Sequence, residues 1–207
     1  MKVFLLTILS LVFTPYFTQK EIEINFEMNN ENPELEISQL RYYISSIQLT
    51  SNGKTTFTEA TSYHLIDHND SNSTSISLRL PEEIEYNELQ FNIGIDSSKN
   101  MGGVHGGDLD PTNGMYWTWQ SGYINFKLEG KIENKEISYH IGGFMYPNNT
   151  CRTTRLKISG KGSNYTLVVH PDELLQKVDY EKINHVMSPG VSANLIADQL
   201  PSIFTLK

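Results

Sequence analysis

Alternation of apolar and polar side chains with a period of two recurs along most of this chain, and it limits the fold more than any other feature. Glu21-Ile22-Glu23-Ile24-Asn25-Phe26-Glu27-Met28 alternates without a break. A strand sends successive side chains to opposite faces, so this pattern predicts a strand with one face buried. Ser75 to Leu80 repeats it through Ile76, Leu78 and Leu80, and Leu89 to Ile95 repeats it again. In Tyr123 to Gly130, Ile124, Phe126 and Leu128 form an apolar face opposite Tyr123, Asn125, Lys127 and Glu129. Leu40–Thr50, Ser62–Asp67, Glu136–Gly143, Thr153–Ser159 and Tyr165–His170 also read as strands, rich in β-branched and aromatic residues. Ser51-Asn52-Gly53-Lys54 predicts a hairpin turn returning through Thr55–Thr58, because Asn-Gly accepts the positive φ values of a type I′ turn. Lys161-Gly162-Ser163-Asn164 reads as another turn.

Helical signal is scarce. Pro171 to Leu175 starts like a helix, with Pro and acids in its first turn. Ser192 to Gln199 is the other candidate, with Ser192 as cap and Pro201 beyond its end. Many short strands at hairpin spacing predict an all-β fold, an antiparallel β-sandwich, Greek-key-like, with long loops and one or two short helices.

The N-terminus is not part of that pattern. Met1-Lys2 is a minimal positive segment, and Val3 to Phe13 is an apolar run too short to span a bilayer. Residues 1–19 read as a secretory signal peptide cleaved near Thr18 to Lys20, or as an anchor left uncleaved, with residues 20–207 as one domain. No Cys follows the apolar run to carry a lipid. The expectation is a secreted or periplasmic protein of a bacterial cell envelope, with no membrane span after cleavage. The 207 residues carry a net charge of −8 and no Lys/Arg cluster, which argues against nucleic acid and anionic lipid as partners. The one cysteine, Cys151, cannot form an internal disulfide. It reads as a small buried residue or, less directly, as a soft copper ligand.

Several groups could carry chemistry. In the glycine-rich loop from Asp96 to Gly114, Asp108 and Asp110 lie two apart. They are candidates for calcium, or Asp110-Pro111-Thr112-Asn113-Gly114 is simply a tight turn. Trp117 and Trp119 would share a face if they lie on a strand, as a wall of the core or as an aromatic binding surface. His64 and His140 each sit within a predicted strand among apolar and aromatic neighbours. They read as core histidines, or as ligands converging from separate strands on one copper ion. There is no His-Glu-x-x-His, nucleophile elbow, phosphate loop or paired acid/base carboxylate, so the chain is not expected to be an enzyme.

The run Leu109-Asp110-Pro111…Gly114-Met115-Tyr116-Trp117-Thr118-Trp119…Ser121-Gly122-Tyr123 resembles the MbnP-like family of secreted bacterial copper-binding proteins. So do Leu40-Arg41-Tyr42-Tyr43-Ile44-Ser45, Ser62 to Asp67, Ile93 to Ser97, Tyr139-His140-Ile141-Gly142-Gly143, Val186 to Gly190 and Ile196-Ala197-Asp198, in the same order. The resemblance implies a β-sandwich binding one copper ion through histidines and a tryptophan oxidised to kynurenine. It also implies copper acquisition, often beside a di-haem peroxidase-like partner. Carried over, His64 and His140 are the implied ligands. The modified Trp of the family pattern lies two residues before a ligand His, and here that place is Ser62. His68 and Met101 are then candidate additional ligands.

Two functions follow as expectations. One is an exported protein that binds copper for acquisition, storage or delivery. The other is a metal-free envelope module that binds a redox protein or a carbohydrate through the Gly102–Trp119 loop.

Overall fold

A computed structural model of the chain describes residues 19–159 and 162–207. The expected signal peptide lies outside the described residues up to Thr18, and the predicted turn at Lys161 lies partly outside them. The elements are β1 (Gln19–Met28), β2 (Leu35–Ser51), β3 (Lys54–Thr58), β4 (Tyr63–Asp67), β5 (Ser75–Pro81) and β6 (Glu88–Ile93), then α1 (Ser97–Met101), β7 (Ile124–Ile132), β8 (Lys135–Gly142), β9 (Arg152–Lys157) and β10 (Asn164–Val169). They end with α2 (Pro171–Lys177), β11 (His185–Val186), α3 (Val191–Ala197) and β12 (Phe204–Leu206).

These strands form the expected β-sandwich. One sheet has the order β12-β10-β1-β5. The other runs β11-β8-β7-β2-β6-β9, with β3 and β4 also paired to β2. The alternating residues meet between the sheets. Ile22, Ile24 and Phe26 of β1 and Ile76, Leu78 and Leu80 of β5 face Leu40, Tyr42, Ile44, Phe126, Leu128, Tyr139 and Ile141. At roughly 25 cal/mol per Å² of apolar surface removed from water, this shared core is the main source of stability.

The sheets are mixed rather than wholly antiparallel. β1 pairs in parallel with β10, and β11 pairs in parallel with β8. A parallel pair needs a long crossover, and here most of the chain supplies it for β1 and β10. The Asn52-Gly53 hairpin forms as expected, with φ of 52° and 78°. α3 begins at Val191 after Gly190, and no side chain caps it, so Ser192 is not the cap.

The second core was not expected. Tyr43 and Ile124 of the larger sheet pack with Ile95, Leu109, Met115 and Tyr123. Tyr43 alternates with the core-facing Tyr42 and Ile44, so it lies on the outer face. The long segment between β6 and β7 therefore folds back over the outside of the larger sheet. It walls a satellite core rather than the main one.

Two buried asparagines fasten it. Asn125 Oδ1 accepts from Ile95 N at 2.9 Å, and its Nδ2 donates to Thr150 Oγ1 at 2.9 Å. Asn100 donates to Ile95 O and accepts from Tyr123 N at 2.9 Å. Gly122, at φ 73°, makes room for this clamp, since a Cβ there would collide with Asn100 Oδ1 and stand 2.7 Å from the Phe144 ring.

Candidate metal ligands and the outer face of the large sheet

The strand register places the histidines. On β4, His64 lies opposite Ile44 of β2, and Asp67 lies opposite Arg41. Arg41 is opposite Lys127 of β7, which is opposite His140 of β8. Asp67, Arg41, Lys127 and His140 thus form one row on one face. His64 is three residues from Asp67, so it points to the other face, toward the core side with Ile66. β4 and β8 are also three strand spacings apart, roughly 14 Å of sheet. The expectation that His64 and His140 converge on one ion is therefore corrected: they lie on opposite faces of the sheet.

Each imidazole nonetheless has a carboxylate partner. His64 Nε2 lies 3.0 and 2.9 Å from the two oxygens of Glu59. Burial alone would raise the Glu59 carboxyl, but hydrogen bonds from His64 and Ser62 outweigh it and hold the group below its usual range. His140 Nε2 lies 2.7 Å from Glu129 Oε1. His140 is 7% exposed. Burial lowers its pKa, Glu129 works against that, and Lys127 and His185 reinforce it. The Glu129 carboxyl is held below its usual range: burial opposes this, but His140 and Lys127 prevail. A neutral ring facing an ionised carboxylate must donate through Nε2–H, which leaves the Nδ1 lone pair free. A carboxylate that fixes the tautomer in this way is the usual support for a metal-bound imidazole.

Sequence reasoning missed the residues beside His140. His185 of β11 is exposed and opposite Ser138, two residues from His140 on the same face. Such diagonal neighbours have Cβ atoms about 7 Å apart. Glu129 is opposite Ser138 from the other side. A cleft of about 480 Å³ whose charged lining is Glu36, Glu129, Glu136 and Lys131 opens beside them. No local spacing could reveal this group, because β11 is two residues long and joins β8 by parallel pairing. Among the described residues, no group of three or more His, Cys, Asp or Glu side chains is gathered tightly enough to hold a metal as they stand.

The other candidates separate. His68 Nε2 pairs with the Tyr42 hydroxyl at 3.0 Å, and burial pushes its pKa down to about 4 against a smaller opposing pull from Asp67. Met101 is exposed at the end of α1. Ser62 is buried, and its Oγ accepts from Ile47 N at 2.8 Å, so the place of the expected Trp serves a backbone irregularity in β2. Asp108 Oδ2 accepts from Leu65 N at 3.0 Å, covering the edge of β4. Asp110 Oδ1 accepts from Thr112 N and Oγ1 at 2.8 and 2.6 Å. Each of these carboxylates thus has a structural task, the second in the tight turn the sequence suggested.

Trp117 and Trp119 do not share a face, because the segment turns instead of continuing as a strand. Trp117 packs on the satellite core against Gly142, whereas Trp119 is 75% exposed. Cys151 is half-buried and free, and burial pushes its thiol up to about 12, away from the thiolate a soft metal needs.

The comparisons with known proteins agree with this architecture. The solved structure of MbnP from Methylosinus trichosporium matches with a TM-score of 0.53 over 77% of this chain and 78% of that one, at 13% identity. That likeness shows a shared fold. No curated protein sequence matches the chain. The family model of MbnP matches residues 7–188, and the chain therefore belongs to the MbnP family.

Proposed function

We propose that the chain is an exported copper-binding protein that holds the ion instead of turning over a substrate. His140 is the anchoring ligand, through Nδ1. His185 joins it across the edge between β8 and β11, and Glu129 fixes the His140 ring from behind. The observation that carries this reading is the His140–Glu129 pair at 2.7 Å, beside a second imidazole on the same face. Burial favours neutral His140, the form that can bind a metal. Exposed His185 is free to turn toward it, and imidazole donors suit copper. Family membership supports copper as the cargo.

Competition titration with a chromophoric chelator, using Cu(I) and Cu(II) in turn, tests the reading. His140→Ala and His185→Ala are expected to weaken binding by tenfold or more, roughly the scale seen when a metal site loses a supporting group. His64→Ala should leave it unchanged. Equal affinity in wild type and His140→Ala would sink the assignment, and failure of the wild type to take up one equivalent would sink copper as cargo.

A further inference from the structure

Four segments that meet in the fold carry no charge. The segments 100–107, 111–126, 141–151 and 186–197 contain no Asp, Glu, Lys or Arg, in a chain where 19% of residues are charged. The fold brings these four segments together. Ser97 Oγ, just before the first, donates to Phe144 O at 2.7 Å. Asn100 Oδ1 accepts from Tyr123 N, and the vacant side of Gly122 faces Phe144. A Cβ on Gly143 would stand 3.0 Å from Pro189. Asn194 of α3 donates to Pro147 O at 3.2 Å.

Large apolar side chains stand out from this ring of contacts. Trp119 is 75% exposed and Tyr146 is 97% exposed, and Met101, Met145, Val191 and Leu195 are exposed as well. The ionic groups that border these segments are engaged elsewhere. Arg152 pairs with Asp198 at 2.7 Å, Lys99 folds over the Tyr63 ring at 5.0 Å, Asp96 accepts from the Tyr63 hydroxyl at 2.7 Å, and Asp108 and Asp110 accept from Leu65 N and Thr112 N at 3.0 and 2.8 Å. Isolated exposed apolar residues need no explanation, but six on segments that contact one another do.

We infer that this surface docks peripherally on the interface of a zwitterionic phospholipid bilayer. Trp and Tyr favour the headgroup level, where the ring body is buried and the polar tip stays wet. The absence of charge removes the largest cost of entering that layer. The acidic body selects among occupants. A net charge of −8 opposes an anionic surface and opposes a second copy of the chain, whereas a zwitterionic surface is indifferent to it. Tyr146 and Trp119 stand almost free, so a rigid partner would need a matched pocket for each, and a bilayer interface would not. Among the described residues no helix is long and apolar enough to cross a membrane, so the contact is interfacial.

The test uses the protein as its cell releases it, sedimented with sucrose-loaded phosphatidylcholine vesicles. Binding is expected, with little loss when salt is raised and a marked loss when phosphatidylglycerol is added. Trp119→Glu/Tyr146→Glu is expected to weaken binding at least about tenfold, since each substitution removes an apolar tip and adds a charge. Both side chains are exposed, so the variant should fold. Independently, bromine-labelled lipid should quench the wild type much more than Trp119→Phe, whose remaining Trp117 is half-buried against the satellite core. Three results would overturn the inference: no binding to phosphatidylcholine vesicles, unchanged binding by the double variant, or a lipid-free dimer abolished by the same substitutions. The last would assign the face to a second copy.

Discussion

Replacing Asn125 with Leu tests whether the outer segment is held by hydrogen bonds or by apolar packing. Asn125 is 0% exposed. Its carbonyl accepts from Ile95 N at 2.9 Å, and its amide donates to Thr150 Oγ1 at 2.9 Å. Leu fills a similar volume and cannot do either. The Ile95 N–H then has no partner in a dry site, which costs about 1–3 kcal/mol. Thr150 Oγ1 loses a donor but keeps its own bond to Gly143 O at 3.3 Å, so its share is about 1 kcal/mol. The expected loss is about 3 kcal/mol, or roughly 6–12 °C in Tm for a chain of this size. Thr150→Val should cost about 2 kcal/mol, by leaving the Asn125 amide without an acceptor. The double variant should fall short of the sum by about 1 kcal/mol, because both substitutions remove the same bond. Urea denaturation followed by far-UV circular dichroism and by tryptophan fluorescence gives these values. A loss under about 0.5 kcal/mol for Asn125→Leu would refute the reasoning, since it would put the segment's stability in apolar contact alone.

Gly122→Ala and Gly53→Ala make a second comparison. Both sites have positive φ, but a Cβ at Gly53 meets open space, whereas at Gly122 it collides with Asn100 Oδ1 and presses on the Phe144 ring. Gly53→Ala should cost about 1 kcal/mol and Gly122→Ala about 3 kcal/mol by thermal melting, and equal costs would contradict the packing described. His68 gives a dependence on pH. Its folded pKa of about 4 lies below the ordinary 6.5, so below pH 6.5 the unfolded chain takes a proton that the folded one refuses. Stability should therefore fall as pH drops from 6.5 to 4, by about 2 kcal/mol once the partial exposure of the ring is discounted. His68→Gln should lack that share, and parallel stability curves for variant and wild type would count against it.

The main core was legible because its signal is local. Ile22, Ile24 and Phe26, or Ile76, Leu78 and Leu80, declare their face by parity alone, and each is buried. β2 begins at Leu35, five residues before the expected start, because its register shifts between Ile37 and Gln39 and breaks the alternation. Parity places Asn125 on a polar, outward face, and it does point outward. It is buried because a segment far from it in sequence covers that face. The histidines failed as a pair for a related reason. Parity between His64 and His140 depends on the pairings β4–β2, β2–β7 and β7–β8, and residue spacing carries none of these. Trp119 departs from Trp117 because backbone bonds from Ser121 and Gly122 to Thr118 O turn the chain there.

The outer face of the large sheet is divided, and the division lets the two functional readings fail separately. Along the row from β4 across β2 and β7 to β8 it is ionic. Arg41 pairs with Asp67 at 2.7 Å, Lys127 with Glu129 at 3.3 Å, and His140 with the same Glu129 oxygen. Beyond the satellite core lie the four uncharged segments with their exposed apolar side chains. Arg41 marks the border, donating from Nη1 to Asn113 O at 3.0 Å and so fastening the outer segment to the ionic row. A cation site gains from the three glutamates of the cleft, which outnumber its Lys131, while an interfacial docking end gains from having no charge to desolvate. One uniform surface could not serve both. His140→Ala should therefore change copper affinity and leave vesicle binding untouched, and Trp119→Glu/Tyr146→Glu should do the reverse. If either substitution moved both properties, the two regions would form one site, and the boundary at the satellite core would have no functional meaning.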